Sequence, residues 1–290
     1  MNDQTSQPSR FIGDADYKPY DKRRLSYAGT FTSPFKANAI RVLEWLTGKF
    51  TLLRLIRRFE ARGPARGKEF WDRTLDIMGI DLMTPAEQIA RIPKSGPVVV
   101  VANHPHGLVD GLVMGCLVGH VRQDFKILTR SLLTGIEEIA YHMVPVPFPH
   151  EDGALEKGLE MRRIAMEHLK DGGVVILFPS GQVAASENWW GPAVEAEWNP
   201  FTAKMILKSG AVVLPIRFQG QNSRWYHIAN QLSATLRQGL LLHEIKHALN
   251  HPQAPIIGEP IGREEIAKWS SNPRGFMAWL RERTLALGQD

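Results

Sequence analysis

The strongest constraint on the fold of this 290-residue chain is a series of short, β-branched runs separated by helical stretches. Residues 97–102 (PVVVVA), 125–129 (FKILT), 174–178 (VVILF) and 211–218 (AVVLPIRF) read as strands. The valine-rich runs show no alternation of polar and apolar residues. They are therefore expected to be buried on both faces, as strands inside a parallel sheet are. Residues 112–121 and 154–170 read as helices, the second with Leu155, Leu159, Met166 and Leu169 inward and Asp171-Gly172-Gly173 as its stop. Residues 199–208 predict another. Alternation of this kind specifies an α/β fold, a mixed sheet flanked by helices, with ligands at the carboxyl ends of the strands.

Three regions are expected along the chain. Residues 1–34 are polar and turn-rich and read as a tail. Residues 35–75 form a basic amphipathic helical segment. In it Ile40, Leu43, Leu46, Phe50, Leu53, Ile56 and Phe59 recur at helical spacing among Arg41, Lys49, Arg54, Arg57 and Arg58, with a break near Gly48. Such a segment suits an anionic membrane surface, with Trp45 at headgroup depth, and equally suits packing on a main domain. Residues 76–290 then form the catalytic domain. Lys and Arg exceed Asp and Glu by 35 to 30, much of the excess lying before residue 75, which favours an anionic partner there. The single cysteine, Cys116, excludes an intramolecular disulfide and reads as a small buried hydrophobe, which favours a cytosolic setting. No signal peptide and no run of ~18 apolar residues is visible. The protein is expected to lie on the cytoplasmic face of the inner membrane as a peripheral protein, with no nucleic-acid partner.

The first strand runs directly into Asn103-His104-Pro105-His106-Gly107-Leu108-Val109-Asp110-Gly111. A histidine with an acid one or two turns away, at a strand end, is the minimal base and orienter. The carboxylate holds the imidazole tautomer and stabilises the imidazolium that forms when the ring takes a proton. His104 is the expected base and Asp110 its partner, with His106 a rival base. His104, His106 and Asp110 are also a metallohydrolase candidate, but Gly107 and Leu108 stand where further ligands would follow. The third strand ends in Phe178-Pro179-Ser180-Gly181-Gln182. Ser180 lacks the glycine two positions earlier that a nucleophile elbow requires, so its expected role is to position an acceptor oxygen or, with Gly181, to stabilise an oxyanion. Arg217 and Arg224 are candidates for a head group or for donor phosphates. Trp189, Trp190 and Trp198 lie in one loop, where they would line a channel, touch a membrane or pack.

Asn103-His104 with Asp110, then Phe178-Pro179-Ser180-Gly181, then Val213-Leu214-Pro215-Ile216 resemble, in order, three blocks of the glycerophosphate and lysophosphatidate acyltransferase superfamily across about residues 95–220. The resemblance implies an α/β acyltransferase with a His–Asp base. It implies an acyl carrier protein or coenzyme A thioester as co-substrate, a lysolipid hydroxyl as acceptor, and no bound cofactor or metal. Asn103, His106, Phe178, Pro179, Ser180, Gly181, Arg217 and Arg224 would contact substrate.

This chain departs from the usual pattern in three places. Five residues, Pro105 to Val109, separate His104 from Asp110 where four are usual; Ser180 replaces a glutamate; and Met143 to Phe148 contain no arginine. These features are closer to a bacterial subgroup that includes hemolysin-like proteins and the O-acyltransferases of ornithine lipids. Membership would have Gly107 absorb the extra residue through an unusual backbone angle. A peripheral membrane-binding protein without catalysis is the alternative from another class.

Overall fold

A computed structural model of the protein describes residues 25, 26, 28, 33–129, 136–147 and 153–289. The proposed tail lies almost wholly outside the described residues, as does Phe148. The elements in chain order are α1 (Pro34–Glu44), α2 (Phe50–Ala61), α3 (Gly67–Met78), α4 (Ala86–Ile89), β1 (Val98–Ala102), α5 (Leu108–Gly119), β2 (Phe125–Thr129), α6 (Glu137–His142), β3 (Met143–Pro145) and α7 (Ala154–Lys170). They continue with β4 (Val174–Leu177), β5 (Ala185–Ser186), β6 (Ala193–Val194), α8 (Pro200–Ser209), β7 (Val212–Arg217), α9 (Arg224–Leu232), α10 (Ala234–Gly239), α11 (Leu241–Ala248), β8 (Ile256–Ile257), α12 (Arg263–Ala267) and α13 (Pro273–Ala286).

The main sheet has the order β3-β2-β4-β1-β7-β8, parallel except for the antiparallel edge strand β8. Both faces of its centre are covered, as the valine runs require. Val98, Val100 and Ala102 pack with Phe70, Trp71, Val113, Leu117 and Leu242, whereas Val99 and Val101 pack with Leu169, Ile206, Phe276 and Leu280. Thus α3, α5 and α11 cover one face, and α7, α8 and α13 the other. β1 lies between β4 and β7, and the chain leaves it first toward β2 and later returns to β7. Its carboxyl end is therefore at the reversal of strand order, the place where open α/β sheets form a crevice.

The amphipathic segment both packs and exposes. A π-helical turn, Trp45–Lys49, joins α1 to α2, so the break read near Gly48 is a widened turn within continuous helix. Gly48 lies against the Leu242 carbonyl, closer than any Cβ would permit. Ala37, Ile40 and Leu52 are buried on the domain. Phe35, Val42, Trp45, Leu46 and Phe50 remain exposed, Phe35 at 83%. Two members of the apolar row read from the sequence, Leu46 and Phe50, thus face outward. Among the described residues no helix is long and apolar enough to cross a membrane.

At the opposite end of the sheet from the crevice, one buried arginine ties three loops together. Arg122 donates to the carbonyls of Gly96, before β1 (2.7 Å), and Gly172, before β4 (2.6 Å), and to the carboxylate of Asp124, before β2. It therefore sets the relative starts of three adjacent strands. Arg122→Ala leaves two carbonyls without this donor and should cost roughly 3 kcal/mol, read as a lower midpoint in thermal or urea unfolding; an unchanged midpoint would show that the loops hold themselves.

Candidate active site

The polypeptide leaves β1 at Asn103, whose amide pairs on both sides with the Phe218 backbone. Nδ2 donates to the carbonyl (2.9 Å) and Oδ1 accepts from the N–H (2.7 Å). This tie fixes the end of β1 to the end of β7 and engages both ends of the Asn103 amide with backbone. His104 follows. Its backbone N–H donates to Glu195 Oε2 (3.1 Å), and its carbonyl accepts from Ala184 N–H (2.8 Å). Glu195 is buried and is held in turn by the Trp198 indole N–H (3.0 Å) and by Arg281 on its backbone carbonyl. The backbone of His104 is thus clamped by residues far away in sequence.

α5 starts at Leu108, four residues earlier than the sequence suggests, with Gly107 as its N-cap at φ 69°, ψ −126°. That left-handed value of φ is the unusual angle the five-residue spacing calls for, and a residue with a Cβ would be strained there. Asp110 consequently lies inside the first turn with its carboxylate fully buried. Oδ2 accepts from His104 Nδ1 (3.0 Å) and from the His106 backbone N–H (2.8 Å), while Oδ1 accepts from His106 Nδ1 (3.0 Å). One carboxylate therefore serves two imidazoles. Burial raises the Asp110 pKa, but His106 and His104 outweigh it, so the carboxyl is held below its usual range. The His106 imidazole is pushed down by burial and more strongly up by Asp110 and Glu244, leaving it above its ordinary value.

The two rings differ in what their other nitrogens meet. His106 is directed at the glycine turn that follows β7, its Nε2 only 3.0 Å from where a Cβ on Gly220 would stand. His104 stacks on Phe178 (centroids 3.9 Å apart, planes at 20°) and lines a cavity of about 520 Å³. With Nδ1 engaged by the carboxylate, Nε2 is the nitrogen that His104 offers to this cavity. Leu112, Ile127, Ile139, Met143 and Met161 give the cavity an apolar wall, and Trp71 closes it beside α5. The indole fits because Gly115 faces it, 2.5 Å from the position a Cβ would take.

The structure gathers only some of the expected residues at this cavity. His104, Phe178, Pro179 and Gly181 line it. Ser180 turns its hydroxyl to the Gln182 carbonyl (2.9 Å), and the Gly181 N–H is bonded to the Phe178 carbonyl (2.9 Å). Both are used in closing the turn, so neither is an unengaged donor for an oxyanion or acceptor. Arg217 donates to the Leu287 carbonyl (2.6 Å) and Arg224 to the Gly191 carbonyl (2.8 Å); neither lines the cavity. Trp198 is buried under Glu195, while Trp189 and Trp190 are exposed. The guanidinium residues that line the cavity are Arg162 of α7, stacked on Phe201 (4.5 Å), and Arg237 of α10, bonded to Asn230 (2.9 Å). Neither is signalled in the sequence, because each stands in an ordinary helical pattern. The amino end of α5 also borders the cavity through Gly107 and Leu108, with no side chain capping it at Gly107.

Residues 86–219 match the family model described as Acyltransferase. The chain is 27% identical over 168 residues to a lyso-glycine lipid O-acyltransferase of Bacteroides thetaiotaomicron, covering 57% of this chain and 56% of that protein. It is 24% identical over 164 residues to the protein of the same name from Phocaeicola vulgatus, covering 56% and 53%. The match thus spans about half the length of these curated relatives. Among solved structures, the 1-acyl-sn-glycerophosphate (LPA) acyltransferase PlsC from Thermotoga maritima superimposes with a TM-score of 0.50 at 18% identity, covering 81% of this chain and 84% of that one. This likeness shows that the two share a fold.

Because the Asp110 carboxyl is depressed in the folded protein, its contribution to stability is present above the unfolded carboxylate range and is lost as pH falls through the lower folded value. Asp110→Asn should therefore cost about 3 kcal/mol at neutral pH, where a buried charge pair is broken, and the deficit should shrink toward acid. Thermal melts of both proteins over a pH series check this; a deficit independent of pH would contradict it.

Proposed function

We propose that the chain, whose residues 86–219 match the acyltransferase family model, belongs to the lysophospholipid acyltransferase superfamily and moves a fatty acyl group from a thioester to a lysolipid hydroxyl. The observation that supports this most is the buried Asp110 engaging His104 Nδ1, which leaves Nε2 as a base beside a largely apolar cavity. In this reading Nε2 takes the proton of the acceptor hydroxyl as its oxygen attacks the thioester carbonyl. A C–O bond forms; the tetrahedral intermediate then expels the thiolate, which receives that proton from the imidazolium. Asp110 stabilises the imidazolium in a site with little water to screen the pair. Phe178 holds the ring plane. The amino end of α5, which borders the cavity with no side chain capping it at Gly107, supports a role for that helix in favouring the developing oxyanion.

The apolar wall suits an acyl chain, and Arg162 and Arg237 suit an anionic head group. Donors are acyl carrier protein or coenzyme A thioesters. The names of the two relatives favour a lyso-aminolipid such as lyso-glycine lipid over lysophosphatidate as acceptor. The exposed row from Phe35 to Phe50, with Arg54, Arg57 and Arg58 also exposed nearby, suits an anionic membrane surface from which such an acceptor would be drawn.

Purified protein given labelled acyl carrier protein and acyl coenzyme A with a panel of lysophospholipids and lyso-aminolipids should yield an O-acylated lyso-aminolipid, identified by mass. Transfer to lysophosphatidate alone would overturn the acceptor assignment. Absence of transfer from both donors to every lysolipid would overturn the activity.

A further inference from the structure

Away from the cavity, at the far end of α5, three side chains of different ligand chemistry converge. Cys116 of α5 and His120, the C-cap residue that follows it, are four residues apart on one side of the helix, and Asp72 of α3 meets them from the facing helix. Asp72 Oδ1 lies 2.6 Å from His120 Nε2 and 3.4 Å from Cys116 Sγ, and Sγ lies 3.7 Å from Nε2. A triangle with these sides has a point roughly 2 Å from all three atoms, close to the ~2.0–2.2 Å at which zinc holds nitrogen and oxygen and slightly inside its ~2.3 Å to sulfur. Among the described residues this is the only group of three such side chains gathered closely enough to share an ion. We propose that Asp72, Cys116 and His120 form a binding site for a single thiophilic divalent ion, zinc in chemistry, that clips α3 to α5.

Access and charge are consistent with an ion entering from solvent. Cys116 is buried, but the side chains of His120 and Asp72 are 25% and 39% exposed. Lys68 occupies the other oxygen of Asp72, Oδ2, which leaves Oδ1 for the ion. On binding, the Sγ–H bond breaks and its proton passes to water as the S–metal bond forms. His120 adopts the Nδ1–H tautomer so that its Nε2 lone pair faces the ion, and water completes a four-coordinate set. The clip adjoins Trp71, the next residue to Asp72, whose indole closes the cavity against Gly115. Ion binding would therefore hold the cavity's end wall.

The test uses full-length, tag-free protein freed of metal with a chelator and titrated with cobalt(II), then zinc(II). The expected result is one cobalt per chain, with tetrahedral ligand-field bands and a thiolate-to-cobalt charge-transfer band, both abolished by zinc. Cys116→Ser should remove the charge-transfer band, and the more exposed His120→Asn should weaken zinc binding at least tenfold, while His104→Ala leaves both unchanged. His120→Asn keeps the test valid if the buried cysteine variant fails to fold. No cobalt bound, cobalt bound without the charge-transfer band, or a signal lost in His104→Ala and kept in His120→Asn would each overturn the site.

Discussion

The site depends on one fully buried carboxylate. Asp110 has no solvent to stabilise its charge, so it is tolerable only because two imidazoles and a backbone N–H surround it. The same carboxylate does three jobs at once. It ties the first turn of α5 back to His106, sets the tautomer of His104, and holds His106 against the turn after β7. Two imidazoles draw on one charge, yet only His104 lines the cavity. The asymmetry is made by surroundings: Phe178 on one ring, Gly220 beside the other.

The rest of the fold keeps that carboxylate and its partner in place. Arg122 sets the starts of three strands and Asn103 binds the ends of two, so the crevice at the reversal of strand order has a fixed floor. Glu195 clamps the His104 backbone from a loop more than ninety positions along the chain. In this respect the His–Asp pair is positioned at both ends, by the helix on one side and by a buried carboxylate loop on the other. The helical arm at the amino end packs through small and aliphatic residues around Gly48 and leaves Phe35, Trp45, Leu46 and Phe50 exposed, so a single segment has both a packed and an exposed apolar side.

The sequence made the central layer legible because its signals are strong and local. The bounds of the strand at 125–129 and of the helix at 154–170 match the sequence pattern, and the valine runs mark two-sided burial. Of the helix's expected inward row, however, Leu155 and Leu159 are exposed, and Met161, Ala165 and Leu169 are the residues buried. The start of α5 was misplaced because that helix is apolar all round and begins at a glycine with no capping side chain, so neither periodicity nor a cap announces it. His104, Asp110 and the angle at Gly107 followed from a compact motif. Whether Asn103, Ser180, Arg217 and Arg224 faced substrate or backbone could not be read locally, since their partners lie in other elements. Arg162, Arg237 and Glu195 were missed for the same reason: only the packing of distant helices and loops brings them to the site.

We propose that His104, and not His106, is the base although both share Asp110. Steady-state acyl transfer by His104→Ala and by His106→Asn, each verified as folded, tests it most directly. The expected fall in kcat/KM is about 10²–10⁴ for the first, the usual contribution of a positioned base, and less than roughly tenfold for the second. The reverse order, or near-normal turnover without His104, would contradict it.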